Sequence, residues 1–211
     1  MNSDQCFIQQ VLQQRKVKSL VHFTPVQNLN SIFSHNLLSR IQCDRLGLKP
    51  VTTDAYRLDG LLDFISVSVS FPNSGMFYRK RMSMNYSWAV LLISPDVICR
   101  QPSLFFATNA ATAKKKKMDG GYSSAAFSAM FGDPDRNSLQ GHLDYCFPVD
   151  PQAEIMVKQA ISINDIQSVV FGSDADYRSW ISAGGDLAGQ QFDINHAYFS
   201  SRQYAVSRHF T

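Results

Sequence analysis

One domain of α+β class, helices and strands around a central sheet, is what this sequence predicts, and three stretches predict it. Ile65, Val67, Val69 and Phe71 alternate with Ser66, Ser68 and Ser70, the period-two pattern of a strand with one apolar and one small hydroxylated face. Trp88 to Ile93 is a continuous apolar run closed by Ser94-Pro95-Asp96, which reads as a buried strand. Leu20, Val21 and Phe23, with His22 set among them, form a third strand. Apolar residues then recur at helical spacing at Leu29, Ile32, Phe33 and Leu37. The chain has 211 residues, 45% apolar and 18% charged, enough for one core and typical of a soluble globular protein. It contains no apolar run of membrane-spanning length, and its N-terminus has no basic, apolar leader, so a cytoplasmic location is expected.

The elements follow in order. Residues 4–15 form an amphipathic helix with Phe7, Ile8, Val11 and Leu12 on one side. After the His22 strand, Thr24 takes an N-cap position, Pro25 the first helical position and Gln27 the third, a capping box that starts the next helix. Periodicity fades over residues 41–56. Arg57-Leu58-Asp59-Gly60 is a turn into the serine strand, which stops at the turn Pro72-Asn73-Ser74-Gly75. Leu104-Phe105-Phe106 leads into an alanine-rich stretch and then four lysines, Lys114, Lys115, Lys116 and Lys117. Residues 122–131 give a short helix, and 132–151 a long loop that carries His142 and Tyr145. Loops of that length inside a compact domain tend to be functional. Glu154 heads the strand Ile155-Met156-Val157, a strand follows at 168–171, and a helix at 176–181. No internal repeat or domain boundary is visible, so residues 1–211 are read as a single domain, with the role of 172–211 open.

Several chemistries lack their signatures. There is no GxGxxG or GxxxxGK[ST] phosphate loop, no HExxH, and no His/Cys cluster with metal spacing, so no metal site is expected. Cys6, Cys43, Cys99 and Cys146 are scattered without CxxC spacing, which suits free buried thiols. A net charge of +3 permits a nucleic-acid partner without requiring one. What remains is a dispersed set: His22 and Thr24 at a strand end beside a helix N-terminus, Arg57 before the serine strand, and Glu154 at a strand mouth. A helix start beside a strand end can hold a nucleotide phosphate or ribose, and it is also ordinary strand–helix architecture. A carboxylate with nearby cations suits chemistry on a sugar, where negative charge stabilises a developing oxocarbenium ion. The serine face is either a solvated sheet surface or the wall of a polar cleft.

Four ordered blocks carry a resemblance. They are Val21-His22-Phe23-Thr24 through Leu37-Leu38-Ser39-Arg40; Arg57-Leu58-Asp59-Gly60 with Ser68 to Asn73 and Met76-Phe77-Tyr78; Thr108-Asn109-Ala110-Ala111; and Asp150-Pro151-Gln152-Ala153-Glu154-Ile155-Met156-Val157. In this order they resemble the DarT-type NAD⁺-dependent DNA ADP-ribosyltransferases, toxins of bacterial toxin–antitoxin and phage-defence systems. The resemblance implies the ADP-ribosyltransferase fold, a split mixed or antiparallel sheet flanked by helices. It implies NAD⁺ as co-substrate and transfer of ADP-ribose to a base of single-stranded DNA, with release of nicotinamide. Glu154 and Arg57 would be catalytic. His22, Phe23, Thr24, Asn28 and Arg40 would hold NAD⁺, and Tyr78 would stack on nicotinamide. Arg79, Arg81, Lys114 to Lys117, His142 and Tyr145 would face the nucleic acid, the last two in a substrate-recognition loop. The segment Asp63-Phe64-Ile65-Ser66-Val67-Ser68 lacks the aromatic, proline-containing run of the thymidine-modifying branch, which favours guanine as the target. An antitoxin of macrodomain ADP-ribosylglycohydrolase type, a monomeric state and no membrane partner are further implications. The same chemistry on RNA or protein, and a non-catalytic nucleic-acid-binding module, are the alternatives.

Overall fold

The computed structural model describes residues 3–53, 58–115, 121–132 and 146–207. Seven strands make one sheet: β1 (Leu20–Pro25), β2 (Ile65–Val69), β3 (Trp88–Ile93), β4 (Ser103–Phe106), β5 (Glu154–Val157), β6 (Ile166–Phe171) and β7 (Phe192–Ile194). Their order is β4-β5-β2-β1-β3-β6-β7, with every neighbouring pair antiparallel except β6 and β7. The helices are α1 (Ser3–Gln14), α2 (Leu29–His35), α3 (Arg40–Arg45), α4 (Ser74–Ser83), α5 (Val97–Arg100), α6 (Ala110–Lys115), α7 (Ser124–Ala129), α8 (Asp174–Ser182) and α9 (Arg202–Ser207). The α+β class and the mixed, helix-flanked sheet expected from the sequence are what the chain adopts. Among the described residues no helix is long and apolar enough to cross a membrane.

The sheet comes apart at its centre. β1 pairs with β3 over six residues, from Leu20–Ile93 to Pro25–Trp88, but with β2 only at Leu20–Val69 and Val21–Ser68. Beyond Val21 the two strands diverge, leaving the end of β1 and the start of β2 without a shared ladder. β2 meanwhile pairs with β5 from Ile65–Val157 to Val67–Ile155. Both groups of strands are therefore well paired on their outer sides, and the gap between them is a stable feature of the backbone.

Three local expectations are corrected. The capping box proposed at Thr24 does not form, because the ladder to β3 runs on through Thr24 and Pro25. Pro25 keeps an extended ψ of 140°, the chain enters a 3-10 turn at Val26–Asn28, and α2 begins at Leu29. A capping box stands instead at Ser39 and Gln42, where it starts α3 and fixes Arg40 as its first residue. Phe7, assigned to the apolar face of α1, is 55% exposed, while Ile8 and Leu12 at i, i+4 are buried. All four cysteines are free, but only Cys99 is buried and Cys6 is exposed. Burial pushes the Cys99 thiol up to about 11, so it stays protonated at neutral pH.

The turn expected at Pro72 to Gly75 starts α4, capped by the Asn73 side-chain Oδ1 accepting from the Met76 N–H at 3.1 Å. The segment from Gly172 onward, whose role the sequence left open, closes the β6 edge of the sheet, and the helix expected at 176–181 is α8. Trp180 of α8 packs on Phe171 and Phe33, with ring centroids 5.5 and 6.4 Å away. Gly185 passes so close to that indole that a Cβ would lie 2.4 Å from it, while Gly184 takes a left-handed φ of 86°, which together account for the glycine pair there.

Ser39 is 2% exposed, and its hydroxyl accepts the Gln42 N–H while its own N–H donates to Gln42. Ser39→Ala is expected to cost about 1 kcal/mol, read as a lower urea midpoint at unchanged slope. No change would mean that packing alone sets the start of α3.

Candidate active site

The gap between β1 and β2 opens into a cavity of about 370 Å³. Its walls come from β1 (His22, Phe23, Thr24), Asn28, the start of α3 (Ser39, Arg40), residues 48–53, β2 (Ser66, Ser68), the inner face of α4 (Met76, Lys80), Asn109 and Glu154. Apolar area from Ile32, Leu37 and Phe64 lies beside these polar groups. The serine face of β2 is thus a cleft wall and not a solvated surface: Ser68 is 9% exposed and lines the cavity with Ser66.

Glu154 is the buried acid of this space, 9% exposed, at the first position of β5. Its position is a matter of strand parity. Ser66 pairs with Met156, so Ser66 and Glu154 share one face of the sheet, diagonally adjacent. The Ser66 hydroxyl donates to Oε1. Oε2 accepts the Ala110 N–H at 3.0 Å and Asn109 Nδ2 at 3.2 Å. Asn109 also caps α6, its Oδ1 accepting the N–H groups of Ala111 and Thr112 at 3.1 and 3.3 Å. The carboxylate therefore sits against the first turn of a helix, where orphan N–H groups favour negative charge. Three donors fix its orientation.

His22 lies where the β1–β2 ladder stops, and its Nδ1 is 2.9 Å from the Ser66 carbonyl oxygen. A carbonyl oxygen only accepts, so Nδ1 carries the proton of that bond. Ser66 is held twice, by its hydroxyl to Glu154 and by its carbonyl to His22, which ties the two sides of the cleft together.

Asn28 organises the opposite wall. Its Nδ2 donates to Thr24 Oγ1 and to the Val51 carbonyl, both at 3.0 Å, and its Oδ1 accepts the Val51 N–H at 2.8 Å. Residues 48–53, which have no regular structure of their own, are held as a cavity wall by this side chain. Lys80 of α4 donates to the Thr53 carbonyl at the same edge. Arg40 and Lys80 bring positive charge to the cavity.

Of the residues singled out in the sequence, His22, Phe23, Thr24, Asn28, Arg40 and Glu154 converge on one cavity. Tyr78 does not join them. On α4 the cavity-facing positions are Asn73, Met76 and Lys80, at i, i+3 and i+7, whereas Tyr78 is 58% exposed beside the inward Phe77. Arg79 is exposed on the same helix. Arg81 turns to the far side, donating to the Phe199 carbonyl at 2.6 Å and lying over the rings of Phe77 and Phe199. Lys114 and Lys115 belong to α6. Arg57, Lys116, Lys117, His142 and Tyr145 lie outside the described residues, although Thr53 and Leu58, which flank 54–57, both line the cavity. Sequence reasoning saw Ser66 only as part of the serine face and gave Asn109 no individual role. Asn109 had a signal, a capping residue directly before an alanine-rich helix.

A family model described as ssDNA thymidine ADP-ribosyltransferase, DarT, matches residues 21–199. Comparison with curated proteins gives no match. Among solved structures, Thermosipho africanus DarTG in complex with ADP-ribose superposes with a TM-score of 0.61 at 14% identity, over 86% of this chain and 51% of that one. The chain thus spans about half the length of that protein. Thermus sp. 2.9 DarT in complex with NAD⁺ gives 0.54 at 15% identity, over 88% of this chain and 98% of that one. The same protein in complex with ADP-ribosylated ssDNA gives 0.54 at 14%, over 88% and 97%. At such identities the likeness speaks to the fold.

Proposed function

The chain belongs to the DarT family of NAD⁺-dependent single-stranded-DNA ADP-ribosyltransferases, and on that premise we propose that it transfers ADP-ribose from NAD⁺ to a nucleobase, with Glu154 as the catalytic carboxylate. One observation carries the assignment: a buried carboxylate, oriented by three donors, on the wall of the cavity in the split sheet. The cavity's own chemistry suits NAD⁺. Polar groups that hydrogen-bond a ribose (His22, Thr24, Asn28), apolar wall for a ring (Ile32, Phe64) and cations for a pyrophosphate (Arg40, Lys80) line one space.

In this reading His22, Thr24 and Asn28 bind and orient the nicotinamide ribose, and Glu154 offsets the positive charge that develops at its anomeric carbon. Nicotinamide leaves as a neutral molecule with the bonding pair. A ring or exocyclic nitrogen of the base then forms the new bond to the anomeric carbon and loses its proton. Arg57 is assigned to orient NAD⁺ or polarise the target base, by family resemblance. Arg79, Lys114 to Lys117, His142 and Tyr145 are assigned to the DNA side, where a single strand leaves bases exposed for stacking and attack.

The acceptor proposed is guanine, from the 63–68 segment, although the matching family is described by thymidine. A role as the toxin of a toxin–antitoxin pair, countered by a macrodomain glycohydrolase, and action as a cytoplasmic monomer complete the proposal. They rest on the family and on the likeness to DarTG. Mass spectrometry of mixed-sequence DNA and RNA oligonucleotides incubated with protein and NAD⁺ tests it. An ADP-ribose increment on single-stranded DNA is expected, with fragmentation naming the base. An increment on RNA alone would change the acceptor, and intact NAD⁺ with unmodified oligonucleotides would remove the assignment.

Asn109 provides a second test. Asn109→Asp keeps the cap on α6 but puts a like charge against Glu154, which raises the pKa of that carboxyl. The acid limb of the pH–rate profile is expected to move to higher pH, so that transfer falls most on the acid side and recovers as pH rises. An unmoved profile would mean that Glu154 does not titrate in the rate-limiting step.

A further inference from the structure

The segment that sequence reasoning could not assign reaches back to the approach to Glu154. Arg202, the first residue of α9, donates through its two terminal nitrogens to the carbonyl oxygens of Pro148 and Val149, at 2.7 and 3.2 Å. Its guanidinium lies over the ring of Phe147, 5.9 Å from the centroid. Phe147 is 4% exposed, set edge-on to Phe71 at 6.3 Å and packed with the fully buried Ala205 of α9. Tyr198 stacks on the other side of Phe71 at 5.9 Å. From the opposite direction the Val149 N–H donates to the Met130 carbonyl at 3.0 Å, just after α7.

Residues 147–149 thus have both faces of their backbone engaged. They lie near the C-terminal end of the 132–151 loop, just before the short turn at Asp150 that leads to Glu154. Arg202 is drawn out of water for this, burial pulling its pKa down while Asp150 partly offsets that. A guanidinium suits the task because its planar fork presents N–H groups on two nitrogens in a fixed geometry, whereas an ammonium must reach both carbonyls from a single nitrogen on a flexible stem. The family match ends at residue 199, so α9 and Arg202 lie beyond it.

We infer that Arg202 is a positioning residue for the acceptor side of the reaction: it pins Phe147–Pro148–Val149, the C-terminal root of the loop whose His142 and Tyr145 are assigned above to the DNA side, while Glu154 is held independently. This rests on the transferase reading above. The independence follows from the separate anchors of Glu154, namely Ser66, Asn109, the Ala110 N–H and its ladder to Phe106. Loosening the root should therefore harm capture of a base more than cleavage of NAD⁺, for which water is the competing acceptor.

The test compares wild type, Arg202→Ala, Arg202→Lys and Phe33→Leu, the last a core change away from α9 that lowers stability without touching the root. Three quantities are read: NAD⁺ affinity, the ratio of transfer to NAD⁺ hydrolysis at saturating NAD⁺, and amide exchange over residues 146–151. Arg202→Ala is expected to raise the oligonucleotide KM and lower the transfer-to-hydrolysis ratio about tenfold. It should speed exchange at 146–151 and leave NAD⁺ affinity unchanged. Arg202→Lys should recover part of the ratio, and Phe33→Leu should leave it as in wild type. An equal fall in Phe33→Leu, or unchanged exchange in Arg202→Ala, overturns the inference. Faster exchange with an unchanged ratio removes the acceptor role. A wild-type protein that transfers to no oligonucleotide instead overturns the transferase reading, and the acceptor role with it; exchange then decides the anchoring by itself.

Discussion

Glu154→Gln is expected to lower ADP-ribose transfer by at least about 10²- to 10³-fold, the usual loss when one preorganised charge is removed from the reacting centre. The substitution isolates charge from shape. Glutamine fills the same volume and can turn its oxygen towards the Asn109 amide and the Ala110 N–H, while the Ser66 hydroxyl rotates to accept from its NH₂. The hydrogen-bond frame therefore survives, and the thermal midpoint should move by only a few degrees. Glu154→Ala should abolish transfer as well, but leaves three donors facing an empty volume and so mixes two effects. The measurement is the oligonucleotide mass increment per unit time, with a melt of each variant beside it. Activity within threefold of wild type in Glu154→Gln would remove the mechanism proposed for this cavity.

The second large effect is expected at Asn28, on structure and nucleotide binding together. Asn28→Ala deletes three hydrogen bonds and leaves Thr24 Oγ1 and both backbone groups of Val51 without that partner, in a region where Asn28 itself is 8% exposed. Unsatisfied buried groups cost about 1–3 kcal/mol each where water cannot reach them. Residues 48–53 can relax toward solvent, so a total of about 2–3 kcal/mol is expected. For a chain of this size that lowers the melting midpoint by about 4–12 °C. Because the released segment is a cavity wall, the KM for NAD⁺ should rise about tenfold, a change of roughly 1.4 kcal/mol, with kcat less affected. A lower midpoint with an unchanged KM would show that residues 48–53 do not contact the nucleotide.

How much of this was legible in the residues differs from place to place. Strands β2 and β3 announced themselves, one by strict alternation and the other by an unbroken apolar run, because both patterns follow from which faces are buried. The gap between β1 and β2 was invisible to periodicity, since it depends on where a ladder stops and not on which side chains are apolar. That is why Ser66, ordinary in sequence, holds the carboxylate. The capping signal at Thr24 was real chemistry in the wrong place: strand pairing to β3 outweighed it, and the same motif at Ser39 operates where no strand competes. His22, Thr24, Asn28 and Glu154 were found through the ordered blocks of family resemblance, and the structure brings them to one cavity. Tyr78 stands two positions from both Met76 and Lys80, about 200° around the helix from each, so its side chain leaves α4 on the face away from the cavity. The Arg202 contact could not be read at all, since it joins residues more than 50 positions apart through main-chain carbonyls that carry no sequence signature.

The interrupted ladder at the middle of the sheet has a mechanical consequence. Strands β4, β5 and β2 form one plate, and β1, β3, β6 and β7 another. Two residue pairs, the Ser70 N–H donating to the Ser19 carbonyl at 3.0 Å, and the ring of His22 join them along the seam. The seam is backed by one continuous core, in which Leu20 and Leu91 of one plate pack in the same cluster as Val67 and Ile155 of the other, so the cleft opens on one face of a sheet whose other face is shared. Glu154 rides on one plate, and His22 and Thr24 on the other. The spacing between the carboxylate and the His22 wall is therefore set by that shared core and by the His22–Ser66 bond that crosses the seam.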